Sequence, residues 1–456
     1  MNFRPGIMAA ALIAQAGCSQ RNITQQPAVE AEPRVSVAIE RARSTRGLTV
    51  RPYIGAKPTV VYESFWDATS NLDLVAADTL ADHNDQRRFS AAMGLMLDGE
   101  VHGAEQLFDS LGRKTENAFV ATASRVMLTA VLQYQDKWKA LGSLPADTIG
   151  VARAPLQKNA DVEVWARAFS DVPARSVFVP AREQIIPLSI SRVGTPVIPV
   201  RINGRDFFFW LDTGASMSIL SSSTAREAGV AARGADTLSI ATAAGQVPAV
   251  PALITTMEIG QIKVGNATAM IVDESLMRVR DSARFSGSGN IRIDGIIGWD
   301  TIRELDLTID FAHGEAVMRR PVRRTISRDL WTLFWAGVPI VRLQGGLGRA
   351  VHFALDTGAQ ETFATQWLLE KALVPVVSVE RKRIGGMGED ISYTTRHIPQ
   401  VSFDLSGQTL VVKQMLVYAP AFWTFVHLDG VLGSDVARAG VMRIDATNHL
   451  FALSRN

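Results

Sequence analysis

The feature that most restricts this chain is a repeat in its C-terminal half. Pro196-Val197-Ile198-Pro199-Val200-Arg201-Ile202 turns at Asn203-Gly204 and returns through Phe207-Phe208-Phe209-Trp210-Leu211 to end in Asp212-Thr213-Gly214-Ala215. The same order recurs as Val338-Pro339-Ile340-Val341-Arg342-Leu343, the Gly345-Gly346 region, Val351-His352-Phe353-Ala354-Leu355 and Asp356-Thr357-Gly358-Ala359. Each copy closes on a Gly-apolar-apolar-Gly-x-Asp element, Gly295–Asp300 in one and Gly430–Asp435 in the other, followed by Leu307–Asp310 and Met442–Asp445. Short apolar runs punctuated by Gly, Asn and Pro predict strands, and Asn-Gly predicts a tight hairpin. Two matched copies predict two sibling β lobes.

A single Asp-Thr-Gly is a weak signal, whereas two copies inside matched β units are not. A carboxylate at the end of an apolar strand can be held rigidly at a lobe surface. Thr can hydrogen-bond main chain across an interface, and Gly lets two loops approach closely. Residues 185–456 resemble the aspartic peptidase family, in particular its retropepsin-like branch, through Asp-Thr-Gly-Ala and the later apolar-apolar-Gly element. The resemblance implies that Asp212 and Asp356 are the catalytic pair and that Thr213 and Thr357 grip each other between lobes. Gly214, Ala215, Gly358 and Ala359 then support the site. The retroviral enzymes use two identical chains; here one chain carries both aspartates, 144 positions apart, so a homodimer is unnecessary. One departure is correlated: the aspartate after the motif and its arginine partner are replaced by Ser216 and Trp299 in one copy, Gln360 and Ser434 in the other. Losing both members of a buried ion pair can be nearly neutral.

The resemblance implies water attack between two carboxyls that share a proton, with no metal or cofactor. His313, His352, His397, His427 and His449 lack the short paired spacing of zinc sites. Neither Ala215 nor Ala359 can donate a hydroxyl hydrogen bond to the dyad, which predicts that its proton is held towards neutral pH. Flap hairpins are expected at Ile240–Pro248, turning at Ala244-Gly245, and at Ile384–Tyr393, with Gly385, Gly386 and Met387 at its tip; ordinary surface hairpins are the alternative. Phe422, Trp423 and Phe425 fit a side-chain pocket or a packed core.

A chain of 456 residues exceeds the roughly 250 to 300 at which one core stops growing. A net charge of +2 implies neither nucleic acid nor an anionic membrane surface as the main partner. The single cysteine, Cys18, excludes an intramolecular disulfide. With Arg4, an apolar stretch from Gly6 to Ala14 and small residues before Cys18, residues 1–18 read as an export signal, with a buried core helix as the alternative. The segment resembles the bacterial lipoprotein signal, although Gln15 stands where leucine is usual. That resemblance implies a lipidated Cys18, membrane contact by the anchor only, and, through Ser19, retention at the outer membrane facing the periplasm.

The remaining organisation is a tether over 19–62, a helical domain over 63–145 and a connector over 146–184. Lobe 1 then spans 185–320, an arginine-bearing interlobe linker 321–337, and lobe 2 338–456. Phe89, Met93, Met96 and Leu97, then Ala104, Leu107, Phe108 and Leu111, step at helical spacing, and a further helix is expected from Phe119 through Tyr134 to Trp138. Such a domain serves as a packing bundle or as an adaptor for a protein partner. The function expected is endopeptidase action on a polypeptide substrate; the alternative is a silent periplasmic scaffold that binds peptides without cutting them.

Overall fold

The computed structural model describes residues 62–144, 160–191, 194–242, 245–280, 290–372, 378–385, 391–417, 425–438 and 440–455, and the short strands Ala16–Cys18 and Val35–Ala38. The rest of the expected export signal and nearly all of the tether, Gly386, Met387, Phe422 and Trp423 lie outside the described residues. The architecture is mainly β: two sibling lobes preceded by a helical region.

Some of the helices begin where a side chain satisfies free backbone N–H groups. Ser64 Oγ accepts from Asp67 N–H (3.2 Å) at the start of Phe65–Ser70, and Asn117 Oδ1 from Phe119 and Val120 (3.1 and 3.0 Å) at the start of Ala118–Tyr134. Between them run Leu74–Leu80, Asn84–Leu97 and Val101–Lys114. Phe89, Met93, Phe108, Leu111, Met127 and Val131, three or four positions apart along their helices, are fully buried. The helix expected to continue to Trp138 ends at Tyr134. Asp136 takes a left-handed backbone (φ 54°), and a new turn, Trp138–Gly142, follows. The segment expected as a connector holds a further helix, Ala160–Phe169, because Trp165 and Phe169 pack on Trp138 at ring distances of 6.1 and 5.1 Å.

In lobe 1, strand Pro196–Ile202 turns through Asn203 and Gly204, both at positive φ, into Arg205–Leu211. Gly295–Ile297 then lies parallel to that second strand, with Ile297 opposite Leu211. Lobe 2 repeats the arrangement with Pro339–Gln344, Ala350–Leu355 and Gly430–Leu432, Leu432 lying opposite Leu355. The elements after each Gly-apolar-apolar-Gly unit meet in one five-stranded sheet. Its strand order is Leu450–Arg455, Gly440–Asp445, Asp306–Asp310, Glu315–Arg319 and Gln184–Pro187, so both lobes contribute to it. Asp306–Asp310 and Gly440–Asp445 pair directly with Thr308 opposite Arg443, whose guanidinium holds Asp306 through two bonds of 2.8 and 2.7 Å.

Two arginines at and just before the interlobe linker are tied down. Arg320 donates to the Val179 carbonyl (2.6 Å), Arg328 pairs with Asp98 of the helical region (2.6 Å), and Leu333–Trp335 joins the second-lobe sheet. One apolar core fills the lobes and the shared sheet, with Phe209, Ile254, Leu307, Phe353 and Leu432 inside it. A second joins the helices to the faces of the lobes beside the two motifs.

The glycines that open the parallel strands keep the lobes alike. A Cβ on Gly295 would collide with the Phe209 ring, and one on Gly430 with the Phe353 ring and the Phe363 carbonyl. A ring can shift and a carbonyl in a sheet cannot. Gly430→Ala should therefore lower the unfolding free energy by about 1–3 kcal/mol, and more than Gly295→Ala, in denaturant titrations.

Candidate active site

Each motif aspartate follows its strand at a point where the next parallel strand fixes its backbone. Asp212 N–H donates to the Ile297 carbonyl and Asp356 N–H to the Leu432 carbonyl, both at 3.0 Å. The carboxyls are held from the side by backbone donors. Asp212 Oδ1 accepts from Gly214 and Ala215 N–H (2.8 and 3.2 Å), and Asp356 Oδ1 from Ala359 N–H (2.9 Å). The two aspartates lie together: an added Cβ on Gly358 would collide with the Asp212 carboxyl at 2.5–2.7 Å, so only glycine permits the approach.

The threonines cross between lobes with near-twofold symmetry. Thr213 Oγ1 donates to the Leu355 carbonyl (2.9 Å) and Thr357 Oγ1 to the Leu211 carbonyl (2.8 Å). Each hydroxyl also accepts the other threonine's N–H at 3.0 Å. All four groups are buried, so removing one hydroxyl would leave both a donor and an acceptor unpaired, at about 1–3 kcal/mol for each. The grip thus fixes the lobes where the carboxyls meet.

Both carboxyls are buried, Asp212 at 0% and Asp356 at 2% exposure. Burial first, then the charge of Asp356, raises Asp212 well above the usual carboxylate range. Burial pushes Asp356 up to about 7, against the pull of its hydrogen bonds with Asp212 and with backbone donors. Two like charges in a dry site cannot both ionise readily, so the pair holds at least one proton around neutral pH.

A supporting set escaped the sequence reading although its signal was present. Six residues after each motif aspartate stands a hydroxyl, Ser218 or Thr362, and each accepts from the second glycine of the later element: Gly298 N–H at 3.3 Å, Gly433 N–H at 3.0 Å. Each donates in turn to the aspartate ending that element, Ser218 to Asp300 (3.3 Å) and Thr362 to Asp435 (2.6 Å). One residue before the element, Asp294 and Asp429 accept from Phe208 and His352 N–H, four positions ahead of each motif aspartate (3.3 and 2.8 Å). Recurrence of these residues at equal offsets in both copies was the available clue.

The positions where the ion pair is missing are bridged by main chain. Trp299 N–H donates to the Ala215 carbonyl (2.6 Å), Ser434 N–H to the Ala359 carbonyl (2.8 Å), and Arg438 to the Gln360 carbonyl (2.9 Å). Buried Arg175 joins Asp136 of the helical region (3.0 Å), Glu304 (3.3 Å) and the Asp300 carbonyl.

The segments expected as flaps are hairpins. Leu238–Thr242 pairs with Gly245–Ile259, Gly245 standing opposite Thr242 at the end of the ladder, and Ser378–Gly385 pairs with Ile391–Leu405. Gly385 ends its strand beside Ala16. Cys18 lies in the same short strand opposite Arg383. Phe425 packs against Phe89 (ring distance 5.6 Å) and Trp66 (6.3 Å) of the helical region, which places it in a core. Among the described residues, no group of three or more His, Cys, Asp or Glu is placed to hold a metal ion, and no helix is long and apolar enough to cross a membrane.

Residues 198–301 match a family model described as aspartyl protease, which supports an aspartic peptidase family for the lobe carrying the first motif. Among solved structures, an aspartic proteinase from Irpex lacteus aligns over 60% of this chain and 97% of its own, with 12% identity and a TM-score of 0.37. A retropepsin-like aspartic protease from Rickettsia conorii aligns over 32% of this chain and 94% of its own, with 20% identity and a TM-score of 0.20. None of the curated proteins compared with the chain matches it.

Burial also raises Asp300 and Asp435 to about 6. A carboxyl whose folded value exceeds its unfolded value favours the protonated folded state. Its contribution is present below about pH 4 and is lost as pH rises through about 6. Thermal unfolding should therefore show stability falling between pH 4 and 7, and Asp300→Asn should flatten that fall by up to about 3 kcal/mol. An unchanged slope would show that Asp300 ionises freely.

Proposed function

We propose that the chain is an aspartic endopeptidase. The observation that carries this reading is the pair of buried carboxyls from two sibling loops, each fixed by matching backbone donors and pressed together by the threonine grip. A binding cleft has no need to bring two carboxyls together at the cost of their repulsion; a site that activates water does. In the reaction, the ionised member takes a proton from a water as its oxygen attacks the scissile carbonyl, while the protonated member donates its proton to the carbonyl oxygen. The tetrahedral diol then collapses: the carboxyl that took the water proton passes it to the leaving nitrogen, the other carboxylate takes a proton from a diol hydroxyl, and the C–N bond breaks to give a carboxylic acid and an amine, with one proton again on the pair. The supporting hydrogen bonds from Gly214, Ala215 and Ala359 keep one oxygen of each carboxyl occupied, so the other is left for the water.

The export reading belongs to the same proposal. A lipidated Cys18 would hold the catalytic lobes at the periplasmic face of the outer membrane, with the residues after it as tether as far as Val35–Ala38, which joins the lobe 2 sheet beside Thr409–Val412, and extended polypeptide segments as substrate. Cys18→Ala should move the protein from the membrane fraction to the soluble fraction; unchanged fractionation would remove the anchor and leave the peptidase reading in place.

Asp212→Asn and Asp356→Asn should each reduce cleavage of an unfolded protein by at least about a thousandfold, since each removes one half of a unit that transfers protons jointly. A statine-type peptide inhibitor should stop the wild type. Activity should persist near neutrality and fall as the pH rises far enough to remove the last shared proton. A peptidase activity that survives either substitution would place the chemistry elsewhere.

A further inference from the structure

A cavity of about 620 Å³ opens on the seam where the helical region, both lobes and the interlobe linker meet. The helical region contributes residues 98–101 with Tyr134 and Lys137, lobe 1 Arg303 and Glu304, the linker Arg323 and Arg324, and lobe 2 residues 446–449. Its size is that of a ligand site, commonly about 300–1,000 Å³. Neither Asp212 nor Asp356 lines it, and neither motif loop reaches it.

Most of the charges on its walls are already matched. Asp98 is held by Arg328 (2.6 Å), Glu304 by Arg175 and Arg303 (3.3 Å each), and Lys137 by Glu105. Burial lowers His449 below its ordinary value, so its ring, stacked on Trp331 at 3.8 Å, brings little charge near neutral pH. Three groups remain. The guanidiniums of Arg323 and Arg324 and the carboxylate of Glu100 have no hydrogen-bond or ion-pair partner among the described residues.

The two arginines are carried on a fixed segment. Arg324 N–H donates to Asn448 Oδ1 (2.7 Å), and the buried Asn448 amide donates to the Val322 carbonyl (2.9 Å) and to Asp445 Oδ2 (2.7 Å). On another wall, the Arg303 guanidinium lies 3.7 Å from the centre of the Tyr134 ring. Two adjacent like charges held in place and left without counter-charge favour an anion, and the guanidinium fork matches a carboxylate or a phosphate. Glu100 asks for the opposite, an N–H donor. A bare phosphate serves the arginines and is repelled by Glu100, whereas a peptide with acidic side chains brings carboxylates for the first and backbone N–H groups for the second.

We infer that this cavity is a recognition site for an acidic segment of polypeptide, separate from the carboxyl pair. Arg323 and Arg324 take its carboxylates and Glu100 its N–H groups. The peptidase reading enters only in taking that segment to belong to the substrate, which the cavity holds while another part of the same chain is cut.

The test measures binding to the full chain with Asp212→Asn, which prevents turnover, using a labelled acetyl-Gly-Glu-Glu-Gly peptide at low salt. Arg323→Ala with Arg324→Ala should weaken binding at least about tenfold, and Arg205→Ala, an exposed arginine at the Asn203-Gly204 turn, should leave it unchanged. Glu100→Ala should lower the preference for the peptide over inorganic phosphate at least about threefold. With Asp212 restored, a substrate joined to Gly-Glu-Glu-Gly by a flexible Gly-Ser linker should show a KM at least about fivefold below that of the untagged substrate. The double arginine substitution should remove that difference and leave kcat unchanged. Equal binding by the doubly substituted chain, phosphate binding as tightly as the peptide, or a tag without effect on KM overturns the inference and leaves the peptidase reading in place. If no form cleaves, the peptidase reading falls and binding alone decides the site: loss with the double substitution sustains it, equal binding overturns it.

Discussion

Two carboxyl groups held together out of water repel each other, and much of the two-lobed half of this protein is arranged around that repulsion. The threonine cross-grip resists it directly. Thr213 and Thr357 lie one residue beyond the aspartates, and their four reciprocal bonds span the lobe boundary where separation would begin. The shared sheet resists it from further away, with the pairing of Asp306–Asp310 and Gly440–Asp445 and the Arg443–Asp306 bridge closing the two lobes into one body. Repulsion that the fold does not relieve appears as proton affinity. Asp212 and Asp356 are pushed up together, chiefly by burial, and that raised affinity is what a pair needs in order to share one proton.

The two-lobed half was legible because duplication makes pattern significant. Asp-Thr-Gly read once means little, but the strand before it, the Asn-Gly turn and the later Gly-apolar-apolar-Gly element fix its position in a unit, and the second copy repeats the unit. The hydroxyls Ser218 and Thr362 were equally available by offset, yet a lone Ser or Thr carries no pattern until its partners Asp300 and Asp435 are known in space. Arg175 was not legible at all. It sits in a segment without periodicity, and its three partners, Asp136, Asp300 and Glu304, lie 39, 125 and 129 positions away.

The helical region shows the same limit. Helical spacing announced the helices over residues 84–134, but not what they pack against, because an apolar stripe is the same whether it meets another helix or a cleft. Phe425 illustrates this: its sequence neighbourhood fits a pocket wall or a core, and only its contacts with Trp66 and Phe89 decide. Ala160–Phe169 escaped notice because a ten-residue helix shows little more than one amphipathic repeat, and its anchors, Trp138 and the flap strands, are remote in sequence.

The central claim is that Asp212 and Asp356 titrate as one unit that keeps a proton near neutrality. Carbon-13 NMR of the aspartate carboxyls across pH 3 to 9 tests it without recourse to activity. The account predicts one strongly raised titration, near pH 7 or above, sensed by both residues, and loss of that linked behaviour when Asp356 is replaced by Asn. Two independent aspartates that both ionise below about pH 5 would contradict it.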